Sequence, residues 1–376
     1  MKKKKTIVYV GGGSGGHVAP LLAIHQQIVT QKPNDLNLSY TLITDEKFFS
    51  SAKQLFLNNP EVRIEKIKAG KFRRHPNVKL KNRFRLINYY SKNVIDVFKL
   101  GVGTVQSLHL MAKLKPDLVI SKGGYVAVPV VMSAKLNKAK IVIHDSDTRP
   151  GIASKITARW ADKIFTGFES DYYPNSEWVG VPINEVRPTK TEVENLAKST
   201  KLNPKLKTVL VLGGGNGSLA LNNIIEDVLP ELLNKFNVIH QAGEGKQIKF
   251  KADGYPGRYI QFGFCSQQDM FSYLKLSDVV ISRAGATSIQ ELAFNKKVSI
   301  IVANTYLSDQ IKNIQFIESK KAALSLDQIK LEDNPGLLLR EIDEALKKSA
   351  QLSDNIAKIY KPGAAKKIAS ESLALL

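Results

Sequence analysis

The chain has 376 residues, 43% of them hydrophobic, with 55 Lys and Arg against 34 Asp and Glu and a net charge of +21. That length exceeds what one hydrophobic core ordinarily supports and implies two domains. A single cysteine, Cys265, excludes an internal disulfide framework and fits a reducing compartment. No apolar run approaches the roughly 18 residues of a membrane-spanning helix. The charge is unevenly placed: residues 1–165 hold 29 Lys and Arg against 10 Asp and Glu, and the remainder 26 against 24. An anionic partner is therefore expected to meet the first half.

In chain order, the basic start Met1 to Lys5 leads into a short apolar run, Thr6 to Val10, that ends in glycines. This pattern reads as a first strand and not as a signal peptide. The turn Gly11-Gly12-Gly13-Ser14-Gly15-Gly16-His17 then opens a helix-like stretch. Such a turn leaves main-chain N–H groups and the positive end of a helix dipole facing outward, which suits a phosphate or a closely approaching sugar. It also matches the G-x-G-x-x-G dinucleotide fingerprint through Gly11, Gly13 and Gly16, with Asp45 after the next strand, Ser39 to Thr44. A nicotinamide-dependent dehydrogenase is the alternative at this point. His17 at the turn is a candidate general base or a turn-capping histidine.

After a third strand, Val62 to Ile67, the stretch Arg63–Lys99 holds 12 basic and 2 acidic residues. Among them stand Phe72, Phe84, Leu86, Ile87, Tyr89, Tyr90, Val94, Ile95, Val97 and Phe98. This mixture suits the face of an anionic membrane, each cation contributing about 1 kcal/mol there. A nucleic-acid patch and a solvated basic helix are the alternatives. The strand Leu118 to Ser121 runs into Lys122-Gly123-Gly124-Tyr125, a second turn able to cradle an acceptor's phosphates or merely to let a helix pack. Ile141 to His144 is followed by Asp145-Ser146-Asp147. Two carboxylates spaced this way hold a divalent cation in one class of sugar transferases. Glycine turns and helix N-termini neutralise a diphosphate without an ion, so no metal is expected and Asp147 is assigned to a sugar hydroxyl.

A strand from Lys163 to Thr166 precedes an irregular stretch, 168–205, broken by Pro174, Pro182, Pro188 and Pro204. The expected domains are 1–168 and 169–359, with a C-terminal helix at about 360–376 returning to the first domain. Strands of the second half are expected at Glu177 to Val179, Thr208 to Leu212, Asn237 to Gln241, Arg258 to Phe262, Val279 to Ser282 and Val298 to Val302. The second of these enters another glycine turn, Gly213-Gly214-Gly215-Asn216-Gly217-Ser218. The run from Ile281 to Leu292 has the marks of an anion site: Gly285 and Ala286 permit close approach, and Thr287 and Ser288 carry hydroxyls beside the free N–H groups of a first helical turn. Glu291, a turn further in, is placed to accept both hydroxyls of a ribose, or is a surface Glu near a helix N-terminus. Nearly continuous Val, Ile and Leu strands alternating with helices mean parallel sheets covered on both faces. The fold class is thus α/β, two doubly wound, Rossmann-like halves facing one cleft, with ligands beyond the carboxyl ends of the strands.

Six motifs carry a resemblance that covers nearly the whole chain. G-G-G-S-G-G-H-V-A-P at 11–20, G-G-Y-V at 123–126, H-D-S-D with P-G-I-A at 144–153, G-G-G-N-G-S at 213–218, H-Q-A-G-E-G at 240–245 and S-R-A-G-A with Glu291 follow, in order, the pattern of the MurG family of bacterial glycosyltransferases. The resemblance implies a GT-B fold and transfer of N-acetylglucosamine from UDP-N-acetylglucosamine to lipid I, undecaprenyl-pyrophosphoryl-MurNAc-pentapeptide, making lipid II for peptidoglycan. It also implies inversion at the anomeric carbon, no cofactor, no metal, no nucleic acid, and peripheral attachment to an anionic membrane at the cytoplasmic face. Under it His17 is the catalytic candidate, and Gly13, Ser14, Gly123, Gly124 and Tyr125 meet the acceptor.

The donor set that the resemblance implies is Ser14, Gly15, Gly16, Asp147, Gly214, Gly215, Asn216, Phe264, Cys265, Gly285, Ala286, Thr287, Ser288, Glu291 and Gln310. Within it Phe264 and Cys265 read uracil, Glu291 grips ribose, and Asp147 and Gln310 face the donor sugar. Four positions depart from the family pattern. Ser14 replaces Thr, Gly215 stands where many members carry Ser, Asn184 stands where an Arg often meets the diphosphate with Arg187 nearby, and Asp309 replaces the first of two glutamines. A diacylglycerol glycosyltransferase and a UDP-N-acetylglucosamine 2-epimerase are the alternatives of the same fold.

Overall fold

A computed structural model describes residues 3–13, 15–70, 83–185, 187–304 and 308–376, without the side chains of 83–95 and of 308 and 309. The apolar runs form strands β1 Lys3–Val10, β2 Leu36–Asp45, β3 Val62–Ile67, β4 Leu118–Ser121, β5 Lys140–Asp145, β6 Lys163–Thr166 and β7 Ser176–Trp178. The second set is β8 Lys207–Leu212, β9 Phe236–Gln241, β10 Tyr259–Phe262, β11 Val279–Arg283, β12 Ser299–Ala303 and β13 Leu324–Asp327. They make two sheets, ordered β3-β2-β1-β4-β5-β6-β7 and β10-β9-β8-β11-β12-β13. Every neighbouring pair is parallel. Strand order reverses between β1 and β4 in one sheet and between β8 and β11 in the other, and such switch points are where open α/β sheets bind ligands.

Because successive side chains of a strand point to opposite faces, each sheet divides its apolar residues between two cores. In the first sheet Ile7, Tyr9, Ile120 and Val142 face one core, and Val8, Val10, Val119, Ile141 and Ile143 the other. In the second, Val209, Val211, Ile281 and Ile300 alternate with Leu210, Leu212, Val280 and Ile301. Helices cover all four faces, which is why these strands read as unbroken hydrophobic runs.

The chain divides into two compact units, Met1–Pro182 with Pro362–Leu376, and Ile183–Lys361. Residues 169–182, placed by the sequence reading in the second unit, lie with the first. The physical reason is β7, which pairs with β6 through Ile164 opposite Ser176 and Thr166 opposite Trp178 and so extends the first sheet. Trp178 Nε1 donates to Gly167 O at 3.1 Å and holds that edge closed. The strand β13, Leu-Ser-Leu-Asp, was not anticipated; it alternates apolar and polar residues over four positions, too few to register against a helical background.

The C-terminal helix, Ala364–Leu373, packs on the helix Gly15–Gln31. Its Ala364, Ala365, Ile368 and Ala369 are buried in the first unit's core, the alanines letting the two backbones approach. Glu371 pairs with Lys163 of β6, and Lys367 with Glu371 at 2.9 Å and Glu177 at 3.6 Å. Ile368→Ala is therefore expected to destabilise the first unit by about 2–5 kcal/mol, read as a lowered denaturant midpoint in an equilibrium unfolding curve.

Candidate active site

In the first unit the turns after β1 and β4 flank the switch point and touch. A Cβ on Gly124 would lie 3.0 Å from Gly12 O and 3.7 Å from the His17 ring, so the imidazole rests against the second turn. Gly13 and Gly124 have φ of +82° and +80°, a region that favours glycine. Asp45 closes the arrangement from below: its carboxylate accepts from Gly13 N at 2.5 Å and from Lys47 N and Phe48 N at 2.9 and 3.2 Å. It also bonds the Tyr125 hydroxyl, whose pKa is raised by burial and by this carboxylate. Buried and committed to the turn, Asp45 has no free oxygens for a ribose, which removes the acid that a dinucleotide fingerprint needs. Gly15 and Gly16 begin the following helix; Ser14 lies outside the described residues. Asp147 is half-buried beyond β5, its N donating to Asp145 Oδ1 at 3.2 Å.

In the second unit the turn after β8 is clamped against the loop after β9. Gly217 comes so close that a Cβ there would lie 2.0 Å from Ala242 O, while Lys246 Nζ donates to Asn216 O at 2.6 Å. Ser218 then caps the helix Leu219–Lys235. After β11, Gly285 is the N-cap of the helix Ala286–Phe294 and no side chain caps it. The first N–H groups of this helix have no intrahelical acceptor, and Thr287 and Ser288 stand half-buried beside them. Arg283, which the sequence reading did not single out, joins the two features. Its Nη1 donates to Ser218 Oγ at 2.9 Å and Gln328 Oε1 at 2.8 Å, and its Nη2 to Gln310 Oε1 at 3.2 Å. Asn304 N donates to the same Gln310 oxygen at 3.0 Å. A guanidinium only donates, so Gln310 turns its oxygen to Arg283 and keeps its NH₂ for another acceptor.

Cys265 lies within electrostatic reach of Glu291, and burial with the carboxylates of Asp269 and Glu291 pushes its thiol up to about 12. The residues expected at the base and at the ribose are thus neighbours. Arg187 is not at the diphosphate end: its guanidinium sits 4.9 Å from the centre of the Phe294 ring, at the last residue of the helix whose N-terminus would meet the anion.

Two parallel sheets with glycine turns running into helix N-termini at their switch points define the GT-B class of nucleotide-sugar enzymes. Residues 7–166 match the glycosyltransferase family 28 N-terminal domain and residues 208–371 its C-terminal domain. The UDP-N-acetylglucosamine--N-acetylmuramyl-(pentapeptide) pyrophosphoryl-undecaprenol N-acetylglucosamine transferase of Staphylococcus aureus is 32% identical over 358 residues, 93% of each chain. The chain belongs to glycosyltransferase family 28 and, within it, to the MurG family. Among solved structures, Acinetobacter baumannii MurG aligns with a TM-score of 0.65 at 21% identity over 98% of this chain and 99% of its own. A protein described as a putative UDP-N-acetylglucosamine 2-epimerase from Listeria monocytogenes aligns with a TM-score of 0.57 at 12% identity, covering 99% and 95%. The fold is shared by both.

Burial raises the Glu291 carboxyl to about 7. Its charged form is disfavoured in the fold, so the folded chain holds a proton that the unfolded chain releases near 4.5, and stability contributed at this site falls as pH rises from about 4.5 to 7. Glu291→Gln removes that dependence. The ligand-free variant is expected to gain in melting temperature over the parent on going from pH 5 to pH 8; a pH-independent difference would show that Glu291 titrates normally.

Proposed function

We propose that this protein transfers N-acetylglucosamine from UDP-N-acetylglucosamine to the muramyl 4-hydroxyl of lipid I, with inversion, to give lipid II. The observation that carries the reading is the second unit's switch point. There an uncapped helix N-terminus and a glycine turn, bridged by Arg283, stand with Glu291 and Cys265 a turn away, an arrangement suited to a uridine diphosphate. The naming of the Staphylococcus aureus relative supports the same donor and acceptor.

In this mechanism the acceptor oxygen forms its bond to the anomeric carbon as the bond from that carbon to the diphosphate oxygen breaks. The proton of the attacking hydroxyl passes to His17, held against Gly124. The charge growing on the departing UDP is met by the N–H groups of Ala286, Thr287 and Ser288 and by the turn Gly213–Ser218, preorganised donors of a kind worth several kcal/mol. Gln310 offers its NH₂ to a sugar oxygen. Gly123, Gly124 and Tyr125 receive the acceptor, whose pyrophosphate needs the cations that the first unit carries in excess.

Attachment to an anionic membrane at the cytoplasmic face belongs to the same proposal. The helix Arg83–Leu114 turns Val97, Phe98, Val102, Val105 and Leu108 outward, Phe98 with 73% of its surface exposed. Contiguous exposed apolar surface of this kind marks an interaction face. The basic residues expected to flank it at 71–82 lie outside the described residues. Among the described residues no helix is long and apolar enough to cross a bilayer.

The decisive assay supplies purified protein with UDP-N-acetylglucosamine and a lipid I analogue in the presence of chelator. Lipid II analogue is expected, and a UDP-sugar isomer formed without acceptor would establish the epimerase instead. His17→Ala is expected to lower turnover by about 10²-fold or more with UDP affinity retained; near-parental turnover would release His17 from the role. For the membrane, Phe98→Ser with Val105→Ser should reduce sedimentation with phosphatidylglycerol vesicles several-fold, and unchanged sedimentation would place the contact elsewhere.

A further inference from the structure

The loop that leaves β9 and clamps the turn after β8 is itself pinned by buried side chains. Asn222, in the helix Leu219–Lys235, donates from Nδ2 to Ala242 O at 3.0 Å and to Lys246 O at 2.9 Å. Carbonyl oxygens only accept, so the amide is oriented: Oδ1 is turned to His240 Nε2, 3.1 Å away, and that nitrogen carries the hydrogen. His240 Nδ1 then accepts from the Tyr259 hydroxyl at 3.1 Å. His240 is fully buried and burial lowers its pKa to about 4, so this frame is uncharged at neutral pH. Two residues past Lys246 the Gln261 side chain takes both main-chain groups of Ile248, Oε1 accepting from its N at 2.8 Å and Nε2 donating to its O at 2.7 Å.

From this frame the Lys246 side chain reaches back to the turn Gly213–Ser218. Its Nζ donates to Asn216 O at 2.6 Å and to Gly217 O at 3.3 Å. A trans peptide holds its C=O and N–H antiparallel, so carbonyls that face Lys246 send the N–H groups of Gly217 and Ser218 the other way. The first closes the turn on Gly214 O at 2.8 Å. The second lies at the N-cap of the helix Leu219–Lys235, where Arg283 Nη1 donates to Ser218 Oγ at 2.9 Å. One full positive charge thus covers the negative ends of two main-chain dipoles. Left bare, those two oxygens would repel a diphosphate at this turn and offset part of the attraction of its amides.

We propose that Lys246 is a positioning residue of the donor site: its ammonium, delivered by the loop that Asn222 holds, covers the Asn216 and Gly217 carbonyls and so lets the turn Gly213–Ser218 receive a nucleoside diphosphate. The inference rests on the donor reading above and adds a selectivity to it, since Lys246 acts on the phosphates and not on the nucleoside.

The test measures the affinities of UDP and of uridine for the parent, Lys246→Met, Lys246→Gln and Lys246→Arg. Lys246→Met is expected to lose about tenfold in UDP affinity, the effect of losing a charged donor, with uridine affinity within about twofold of the parent. Lys246→Arg should keep UDP affinity within about threefold, and Lys246→Gln, which donates without a charge, should fall between the two. The salt dependence of UDP binding should be weaker in Lys246→Met than in the parent, because a cation near the phosphates is gone. Parental UDP affinity in a folded Lys246→Met would overturn the proposal. So would an equal loss for UDP and uridine, which would make Lys246 a support of the loop alone. If Lys246→Met does not fold, UDP binding weaker in Lys246→Gln than in Lys246→Arg at equal uridine affinity supports the proposal, and equal UDP binding overturns it. A parent that binds neither UDP nor uridine would sink the donor reading itself, and this inference with it.

Discussion

Close passage of main chain against main chain at the carboxyl end of each first strand is the constraint on which both sites depend. A Cβ on Gly11 would lie 2.3 Å from His17 O, one on Gly217 2.0 Å from Ala242 O, and one on Gly243 2.6 Å from Asn216 O. No side chain fits these gaps, so the turns can tighten until the next helix begins almost on the strand. The N–H groups of the turn and of the helix start are then presented together to whatever lies above the sheet edge. The two units meet this requirement with unrelated residues around the glycines. Asp45 ties the first turn from its side chain, whereas Lys246 and the loop after β9 tie the second.

The two units differ in how they handle charge. At the second switch point the donors are main-chain amides, two hydroxyls and a guanidinium whose bonded partners, Ser218, Gln310 and Gln328, are all neutral oxygens. Arg283 keeps its positive charge while its position is fixed, which suits an anion that arrives, reacts and leaves. At the first switch point Lys122 is buried, its ammonium donating to Ser146 Oγ, and offers no such open field.

Much of this was legible in the sequence. Glycine turns after apolar runs fixed the places of both switch points, because only those spacings let a strand end and a helix begin within a few residues, and the twelve expected strands all form. What escaped was set by contacts between distant segments. The strand β7 was expected, but in the second domain and not at the edge beside β6, and the four-residue β13 was missed. Arg283 is an ordinary strand-end arginine until Ser218, Gln310 and Gln328 converge on it from three other elements. Asp45 matched a ribose-binding acid by its distance along the chain, yet its oxygens are taken by Gly13, Lys47 and Phe48. Lys122 sat inside a recognised motif without drawing notice, since sequence does not report that a lysine is out of water.

The family 28 architecture does not by itself choose a reaction, for a putative epimerase shares the two sheets. A difference between the halves bears on the choice. Both sheets cross from their third strand to their fourth, but in the second unit the crossing occupies residues 263–278 and in the first residues 68–117. A parallel crossover needs only about a dozen residues, so the first unit carries chain beyond the needs of its sheet. That surplus holds most of the stretch with 12 basic and 2 acidic residues and the outward apolar side chains of the helix Arg83–Leu114. An enzyme that isomerises a free nucleotide sugar has no use for such a face. One whose acceptor is anchored by a polyprenyl tail must come to the bilayer to find it. The insertion lies in the first unit, and under the proposal above membrane contact and the lipid-linked pyrophosphate fall to that unit while the nucleotide falls to the other.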